Sequence, residues 1–193
     1  MYVVLEGVHG IGKTTICKEL TKKKEFEYIP EIRDALLPPP VLGPKSREKL
    51  RSQIWFLRQL VLKNQKINSK SGIIISDRGP TSILVYSKVL LDDYDFELIK
   101  TLIENLNLKE PDLEIILWAP EEVIMKRIEG RMRESKKKWG EDDLRYLMLV
   151  NSEFKKYYEG FKDVKPLHLV DASGTVEETC RQIENIIRER FKI

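Results

Sequence analysis

Eight residues near the start of the chain, Gly7-Val8-His9-Gly10-Ile11-Gly12-Lys13-Thr14, follow the pattern G-x-x-x-x-G-K-[ST]. Glycines at 7, 10 and 12 let successive backbone N–H groups close around phosphate oxygens, and a helix starting just after them adds the positive end of its dipole. Lys13 supplies a compact charge for β- and γ-phosphates, and Thr14 a hydroxyl for Mg²⁺. The context supports more than the letters do. Tyr2-Val3-Val4-Leu5 reads as a buried strand, and Thr15 to Lys23 has helical character. Strand, glycine-rich turn and helix in that order aim a phosphate cradle, so residues 7–15, Thr15 included, are expected to take the tail of a nucleoside triphosphate.

A second apolar run, Ile73-Ile74-Ile75-Ser76, ends on Asp77-Arg78. A carboxylate at the end of such a strand is expected to hold Mg²⁺, directly or through water. An Asp-Glu pair there would suggest a base for an attacking water, but here an arginine follows. A cation at the mouth of a phosphate site suits a second, phosphorylated substrate better. The third element is Arg127-Ile128-Glu129-Gly130-Arg131-Met132-Arg133-Glu134. Arg127 and Arg131, four apart, share a helix face, and Gly130 lies between them. Phosphoryl transfer needs positive charge over the moving group and exclusion of water. An arginine-bearing lid over about residues 127–141 would do both.

Around these groups, short apolar runs alternate with longer periodic segments, the pattern of parallel β-α-β units. Strands are expected at Tyr2–Leu5, Phe26–Ile29, Ile73–Ser76, Leu113–Trp118 and Leu167–Val170, and helices over 46–69, 81–91, 96–106, 121–133 and 142–158. Val176, Cys180, Ile183 and Ile187 mark the inner face of a last helix, opened by a capping box from Thr175 and Glu178. The expected fold is α/β: a doubly wound five-stranded parallel sheet flanked by helices, carrying a helical lid, in one domain over residues 1–193. Ligands of such sheets bind at the carboxyl ends of the strands. Gly7–Thr14, Glu31, Asp77-Arg78 and Asp171-Ala172-Ser173 all fall there. Leu36-Leu37-Pro38-Pro39-Pro40, continuing to Pro44, excludes helix and central strand, so it is a stiff surface loop, either a connector or a border of the substrate pocket.

Charged residues make up 34% of the chain, yet the formal net charge is only +3, which argues for a soluble protein and against a nucleic-acid polymer as partner. No apolar run approaches the ~18 residues that cross a membrane. The first residues form a strand without the basic region of a secretory signal, so the cytoplasm is the expected compartment. Cys17 and Cys180 sit on apolar helix stripes and are expected to be buried thiols with no disulfide or metal role.

The motif order resembles that of the P-loop nucleoside monophosphate kinases grouped around thymidylate kinase, with the deoxynucleoside kinases as near relatives. Asp77-Arg78, Ser82 and Tyr86 match the spacing D-R-x-x-x-S-x-x-x-Y, and Asp171-Ala172-Ser173 is similar to the loop that borders the adenine in thymidylate kinases. The resemblance covers nearly the whole chain. It implies an ATP- and Mg²⁺-dependent phosphotransferase acting on a small nucleotide, with dTMP the favoured acceptor, and a homodimer. It also implies roles. The loop and Lys13 hold the donor, Thr14 and Asp77 place Mg²⁺, and Ala172 and Ser173 lie by the adenine. Arg127, Arg131 and Arg133 close over the donor, while Arg78 orients the acceptor with Ser82 and Tyr86. Arg47 and Arg51, read as sharing a face at the start of the long helix, stand where thymidylate kinases grip the acceptor phosphate. Phe56, Arg58 and Gln59 stand where the acceptor base is held.

Departures from the family leave the acceptor open. Thymidylate kinases usually carry Asp, against the sugar 3′-hydroxyl, where this chain has His9, and an aromatic residue where it has Gly79. Their Glu-Pro-Gly-Gly stretch is represented only by Pro30-Glu31-Ile32-Arg33. The pattern R-I-x-x-R-x-R, followed by Tyr146-Leu147, is closer to deoxynucleoside kinases, in which a Glu matching Glu31 is the base for the 5′-hydroxyl. Glu31 therefore separates two readings. A nucleoside hydroxyl must lose a proton and gains from a carboxylate, whereas a monophosphate is already an anion and needs cations. Deoxynucleoside kinase is the alternative, and a non-catalytic nucleotide-binding protein a lower one. A GTP-dependent switch is disfavoured, because N-K-x-D is absent and Asp77-Arg78-Gly79-Pro80 is not D-x-x-G.

Overall fold

Five runs rich in Ile, Leu and Val form strands β1 (Tyr2–Glu6), β2 (Phe26–Ile29), β3 (Ile73–Asp77), β4 (Leu113–Trp118) and β5 (Leu167–Asp171). The computed structural model describes residues 1–31, 37–134 and 143–193, the side chains of 131–134 excepted. The strands pair in the order β2-β3-β1-β4-β5, all parallel, as expected of a doubly wound sheet. Three of them run one residue beyond the apolar stretch, and those residues are the acids Glu6, Asp77 and Asp171. Parallel neighbours require crossovers. These are made by α1 (Lys13–Leu20), α2 (Lys49–Asn68), α3 (Pro80–Leu90), α4 (Asp93–Asn105), α5 (Glu121–Glu134) and α6 (Leu144–Phe161), and α7 (Val176–Phe191) closes the chain.

Strand alternation decides what reaches each face. Val3, Leu5 and Ile75 join Ile16 and Leu20 of α1 and Ile183 and Ile187 of α7 in the main core. Tyr2, Val4 and Ile74 point the other way and pack with Ile29 and with Ile67 of α2. Leu57, Leu60, Ile83 and Ile99 then tie α2, α3 and α4 together. Because helices cover both faces, every residue of β1 and β3 is buried, the acids at their ends included. The same parity sends Glu6 towards α3 and Asp77 towards α1.

Local chemistry sets the helix ends. Thr175 and Glu178 form the expected capping box of α7, the Glu178 N–H donating to Thr175 Oγ1 at 3.2 Å and the Thr175 N–H to Glu178 Oε2 at 2.8 Å. At α2 the expectation fails. The helix starts at Lys49, three residues late, because the Ser46 hydroxyl accepts the Glu48 N–H at 3.0 Å and holds a turn in place of a helical one. Arg47 therefore precedes the helix and shares no face with Arg51. Cys17 and Cys180 are free thiols buried between α1 and α7. Among the described residues no helix is long and apolar enough to cross a membrane.

Candidate active site

β1 delivers the chain into the glycine-rich loop, and packing leaves no alternative to glycine at two points. A Cβ on Gly7 (φ +136°) would meet the Leu117 carbonyl oxygen at 2.6 Å, and one on Gly10 (φ +79°) would meet Ile128 Cγ1 at 2.8 Å. The N-cap of α1 is Gly12, which makes no side-chain cap hydrogen bond, and N–H groups at a helix N-terminus can receive an anion. Lys13 is buried, and its ammonium folds back over the loop, donating to the Gly7 and Val8 carbonyls at 2.8 and 2.9 Å. Burial, seconded by the nearby Arg78 guanidinium, pulls its pKa down to about 7 despite Asp77, Glu6 and Glu31.

Beside the cradle, Asp77 Oδ2 accepts a hydrogen bond from Thr14 Oγ1. Asp77 Oδ1 is buried with no hydrogen-bond partner. A buried carboxylate oxygen left without a donor, next to a hydroxyl, fits a divalent cation. Mg²⁺ is commonly held by one or two protein ligands together with substrate phosphates. On the far wall Arg127 donates to the Ile11 carbonyl at 2.9 Å and to the Gly174 carbonyl at 3.1 Å, tying the loop to the turn after β5. Ala172 is buried there and donates its N–H to the Trp118 carbonyl, and the Ser173 N–H donates to Asp171 Oδ1.

Across the ends of β1 and β3 lies a second pocket. His9, Glu31, Gln53, Phe56, Gln59 and Arg78 are among its walls, with Ser82 and Tyr86 of α3 and Tyr146 of α6. Arg78 is its electrostatic centre. Its Nε lies 3.6 Å from Glu31 Oε1, Nη1 donates to Ser82 Oγ at 3.1 Å, and Nη2 meets His9 Nδ1 at 3.1 Å. Because a guanidinium only donates, His9 Nδ1 must be the acceptor. The Tyr86 hydroxyl accepts the His9 N–H at 3.0 Å, and its ring lies under the Arg78 guanidinium, 5.1 Å from the centroid. His9 thus belongs to both sites, in the loop by its backbone and in the second pocket by its ring.

Sequence expectation and structure part company along α2. Arg51 is exposed and paired with Glu48 at 2.6 Å, and Arg47 is exposed in the turn before the helix; neither lines the pocket. Arg58 also lies on the exposed side. The inner stripe is Ser52, Gln53, Phe56, Gln59, Leu60 and Lys63, which share one helical face. Gln53 and Lys63 escaped the sequence reading, although buried polar residues at helical spacing from Phe56 and Gln59 were the available signal. The pocket is also lined by Leu42 and Gly43, so the proline-rich loop ends at its border. Ile32 and Arg33, the side chains of Arg131 and Arg133, and the remainder of the expected lid to 141 lie outside the described residues.

The deoxynucleoside kinase family model matches residues 3–193. The chain belongs to that family. It is a phosphotransferase acting on nucleosides or nucleotides, with a nucleoside triphosphate of the ATP type as donor. A probable thymidylate kinase of Methanosphaera stadtmanae is 29% identical over 213 residues, covering 100% of both chains, and a thymidylate kinase of Campylobacter concisus is 28% identical over 97% of this chain and 98% of its own. Among solved structures, deoxyadenosine kinase from M. mycoides with the products dCMP and a flexible dCDP bound superposes with a TM-score of 0.79 at 23% identity, covering 98% of this kinase and 100% of that chain. Thymidylate kinase from Candida albicans superposes with a TM-score of 0.72 at 19% identity over 97% of this kinase and 91% of that chain. These likenesses establish the fold.

Proposed function

We propose that this kinase transfers the γ-phosphate of ATP to the 5′-hydroxyl of a deoxynucleoside, with Glu31 as the base. One observation carries the reading: Glu31 stands in the acceptor pocket against Arg78, while the two α2-side arginines that would grip a monophosphate face away. Lys63 and Arg78 are the cations among the described lining residues. Lys63 is already spent on the Asp77 and Arg78 carbonyls, and Arg78 stands beside a carboxylate. That is a poor seat for a dianion and a good one for a hydroxyl that must be deprotonated.

The residues then divide the work. The loop N–H groups and Lys13 hold the β- and γ-phosphates, and Arg127 braces the loop against the turn that carries Ala172 and Ser173 at the adenine side. Thr14 and Asp77 would hold Mg²⁺, which when bound offsets phosphate charge. Phe56 offers a flat face to the acceptor base, and the amides of Gln53 and Gln59 can each both donate to and accept from its edge. Arg78 and Tyr86 orient the sugar. The 5′-oxygen attacks the γ-phosphorus in line, the bond from that phosphorus to the β–γ bridging oxygen breaks, and ADP departs. Glu31 takes the hydroxyl proton. Most of the rate comes from positioning and charge.

A second reading, dTMP to dTDP, is favoured by the thymidylate kinase relatives that align over the full chain and by the D-R-x-x-x-S-x-x-x-Y spacing. Incubation with γ-labelled ATP and, separately, thymidine, deoxyadenosine, deoxycytidine, deoxyguanosine or dTMP separates them. Label appearing in a nucleoside monophosphate supports the first reading. Label confined to dTDP overturns it.

A further inference from the structure

Two fully buried charges of opposite sign, Glu6 and Lys63, take no part in the chemistry just described, and both are spent on one peptide unit. The Arg78–Gly79 peptide is gripped at both poles. Its N–H donates to Glu6 Oε1 at 2.7 Å, and its carbonyl accepts from Lys63 Nζ and, at 3.1 Å, from Ser76 Oγ. Lys63 also donates to the Asp77 carbonyl at 2.8 Å, one residue earlier. Glu6 extends the grip into α3, where Oε1 accepts the Ser82 N–H at 3.1 Å and Oε2 the Ser82 hydroxyl. That hydroxyl is in turn the acceptor for Arg78 Nη1.

Such an investment has a visible object. Arg78 has φ +65°, a left-handed conformation that costs a residue with a side chain and persists only when its surroundings impose it. The Arg78 N–H is fixed to the Leu5 carbonyl at 2.9 Å, so the Arg78–Gly79 peptide decides where the side chain goes. With that peptide held by a carboxylate on one side and an ammonium on the other, the turn cannot relax to an ordinary β conformation. The guanidinium is thereby aimed at Glu31 and His9. The room for this is close: a Cβ on Gly79 would lie 3.0 Å from Val4 Cγ1 and 3.2 Å from Glu6 Oε1. Burial raises the Glu6 pKa and lowers that of Lys63, a desolvation cost opposed for Glu6 by Ser82, Arg78 and the Gly79 N–H and for Lys63 by the nearby acids Asp77, Glu6 and Glu31.

We infer that Glu6 and Lys63 are positioning residues that hold the Arg78–Gly79 turn in its left-handed form and so set the acceptor arginine. The inference rests on the acceptor role proposed above for Arg78. It goes beyond that role in assigning the control of Arg78 to two side chains that hold its backbone. The test is a double-mutant cycle. Glu6→Gln, Lys63→Met, Arg78→Ala and the Glu6→Gln/Arg78→Ala pair are assayed with whichever of the four deoxynucleosides or dTMP the wild type labels fastest. Donor and acceptor parameters are measured separately, and circular-dichroism melts check the fold.

Glu6→Gln and Lys63→Met are each expected to lower kcat/KM for the acceptor on the order of 10²-fold, as misplacement of a positioning group does, and Glu6→Gln to leave the KM for ATP unchanged. In the Arg78→Ala background, Glu6→Gln is expected to add nothing. If it costs the same factor there as in the wild type, or raises the KM for ATP as much as that for the acceptor, Glu6 supports the fold at large and the clamp is refuted. Unchanged turnover in Arg78→Ala alone would instead remove the acceptor role on which the clamp depends, so the two failures are told apart. Should Glu6→Gln not fold, Lys63→Met probes the same peptide from its opposite pole and Ser82→Ala from the shared hydroxyl.

Discussion

The sharpest consequence of the cradle is a proton that must arrive with the donor. In the structure the Lys13 amine is buried against two loop carbonyls with its pKa pulled down to about 7. A triphosphate tail brings negative charge to that amine and restores its preference for the ammonium form, towards the ordinary lysine value of about 10.4 or above. At pH 8 a group of pKa about 7 is about one-tenth protonated, so donor binding should take up about 0.9 proton; at pH 6 it should take up about 0.1. Above pH 7 each further unit should cost about tenfold in donor affinity, or about 1.4 kcal/mol. Calorimetric titration of a non-hydrolysable Mg-ATP analogue, in buffers of different ionisation enthalpy at pH 6 and 8, reads the uptake directly. Lys13→Arg is the control, since a guanidinium stays charged throughout and ionisation of the analogue itself is common to both proteins. Equal uptake by wild type and Lys13→Arg at pH 8, or no more uptake at pH 8 than at pH 6, would refute the account. Folding stability responds to pH in the opposite direction. Between about pH 7 and 10.5 the unfolded chain holds a proton on Lys13 that the native state lacks, so this lysine's contribution to stability should improve as pH rises through that window.

Other consequences are as direct. Glu31→Gln should lower phosphorylation of a nucleoside hydroxyl by about 10²- to 10⁴-fold with the KM for ATP unchanged; a variant as fast as the wild type would show that Glu31 is not the base. Gly79→Ala forces a methyl against Val4 and Glu6 Oε1, and should cost about 1–3 kcal/mol. In a chain of this size that is a fall in melting temperature of roughly 2–4 °C per kcal/mol, accompanied by loss of acceptor turnover. Thr175→Ala removes one arm of the α7 capping box and should cost about 1 kcal/mol. Its melting temperature should drop while kcat is unaltered, which scanning calorimetry beside a steady-state assay would check.

Strands and helices were legible because burial writes itself into sequence at fixed periods. β2 and β4 begin and end where their apolar runs do, and β1, β3 and β5 go one residue further because their last positions are acids that the hydrophobic pattern excludes. The donor loop was legible for a different reason: its chemistry is mostly backbone, and the glycines that permit it are letters in order. The acceptor pocket was only half legible. Phe56, Gln59, Arg78, Ser82 and Tyr86 do come together with Glu31, but Arg47 and Arg51 do not join them. Side-chain direction on α2 depends on where the helix starts, and Ser46 moved that start by three residues through one hydrogen bond. What Glu6 and Lys63 hold was not legible, because nothing in a strand-end Glu or a mid-helix Lys says that its partner will be a peptide 73 residues away in the one case and 15 in the other.

The same alternation that fixes the core also explains how two substrates come to share one sheet edge. Glu6 and Gly7 are adjacent, yet Glu6 turns to α3 and the acceptor side while Gly7 opens the donor loop. On the neighbouring strand Asp77 turns to Thr14 at the donor side, and Arg78, thrown into the left-handed region, crosses to the acceptor side. On the proposed roles, each of the two central strands therefore ends by sending one residue towards the donor side and one towards the acceptor side, and the boundary between them lies along the carboxyl ends. A residue that disturbs either strand end should consequently disturb both substrates unless something isolates them. Here Glu6 serves the acceptor side alone, through the Gly79 N–H and Ser82, whereas Lys63 holds the Asp77 carbonyl as well as that of Arg78, so Glu6 is the side chain that can set the acceptor arginine separately from Asp77.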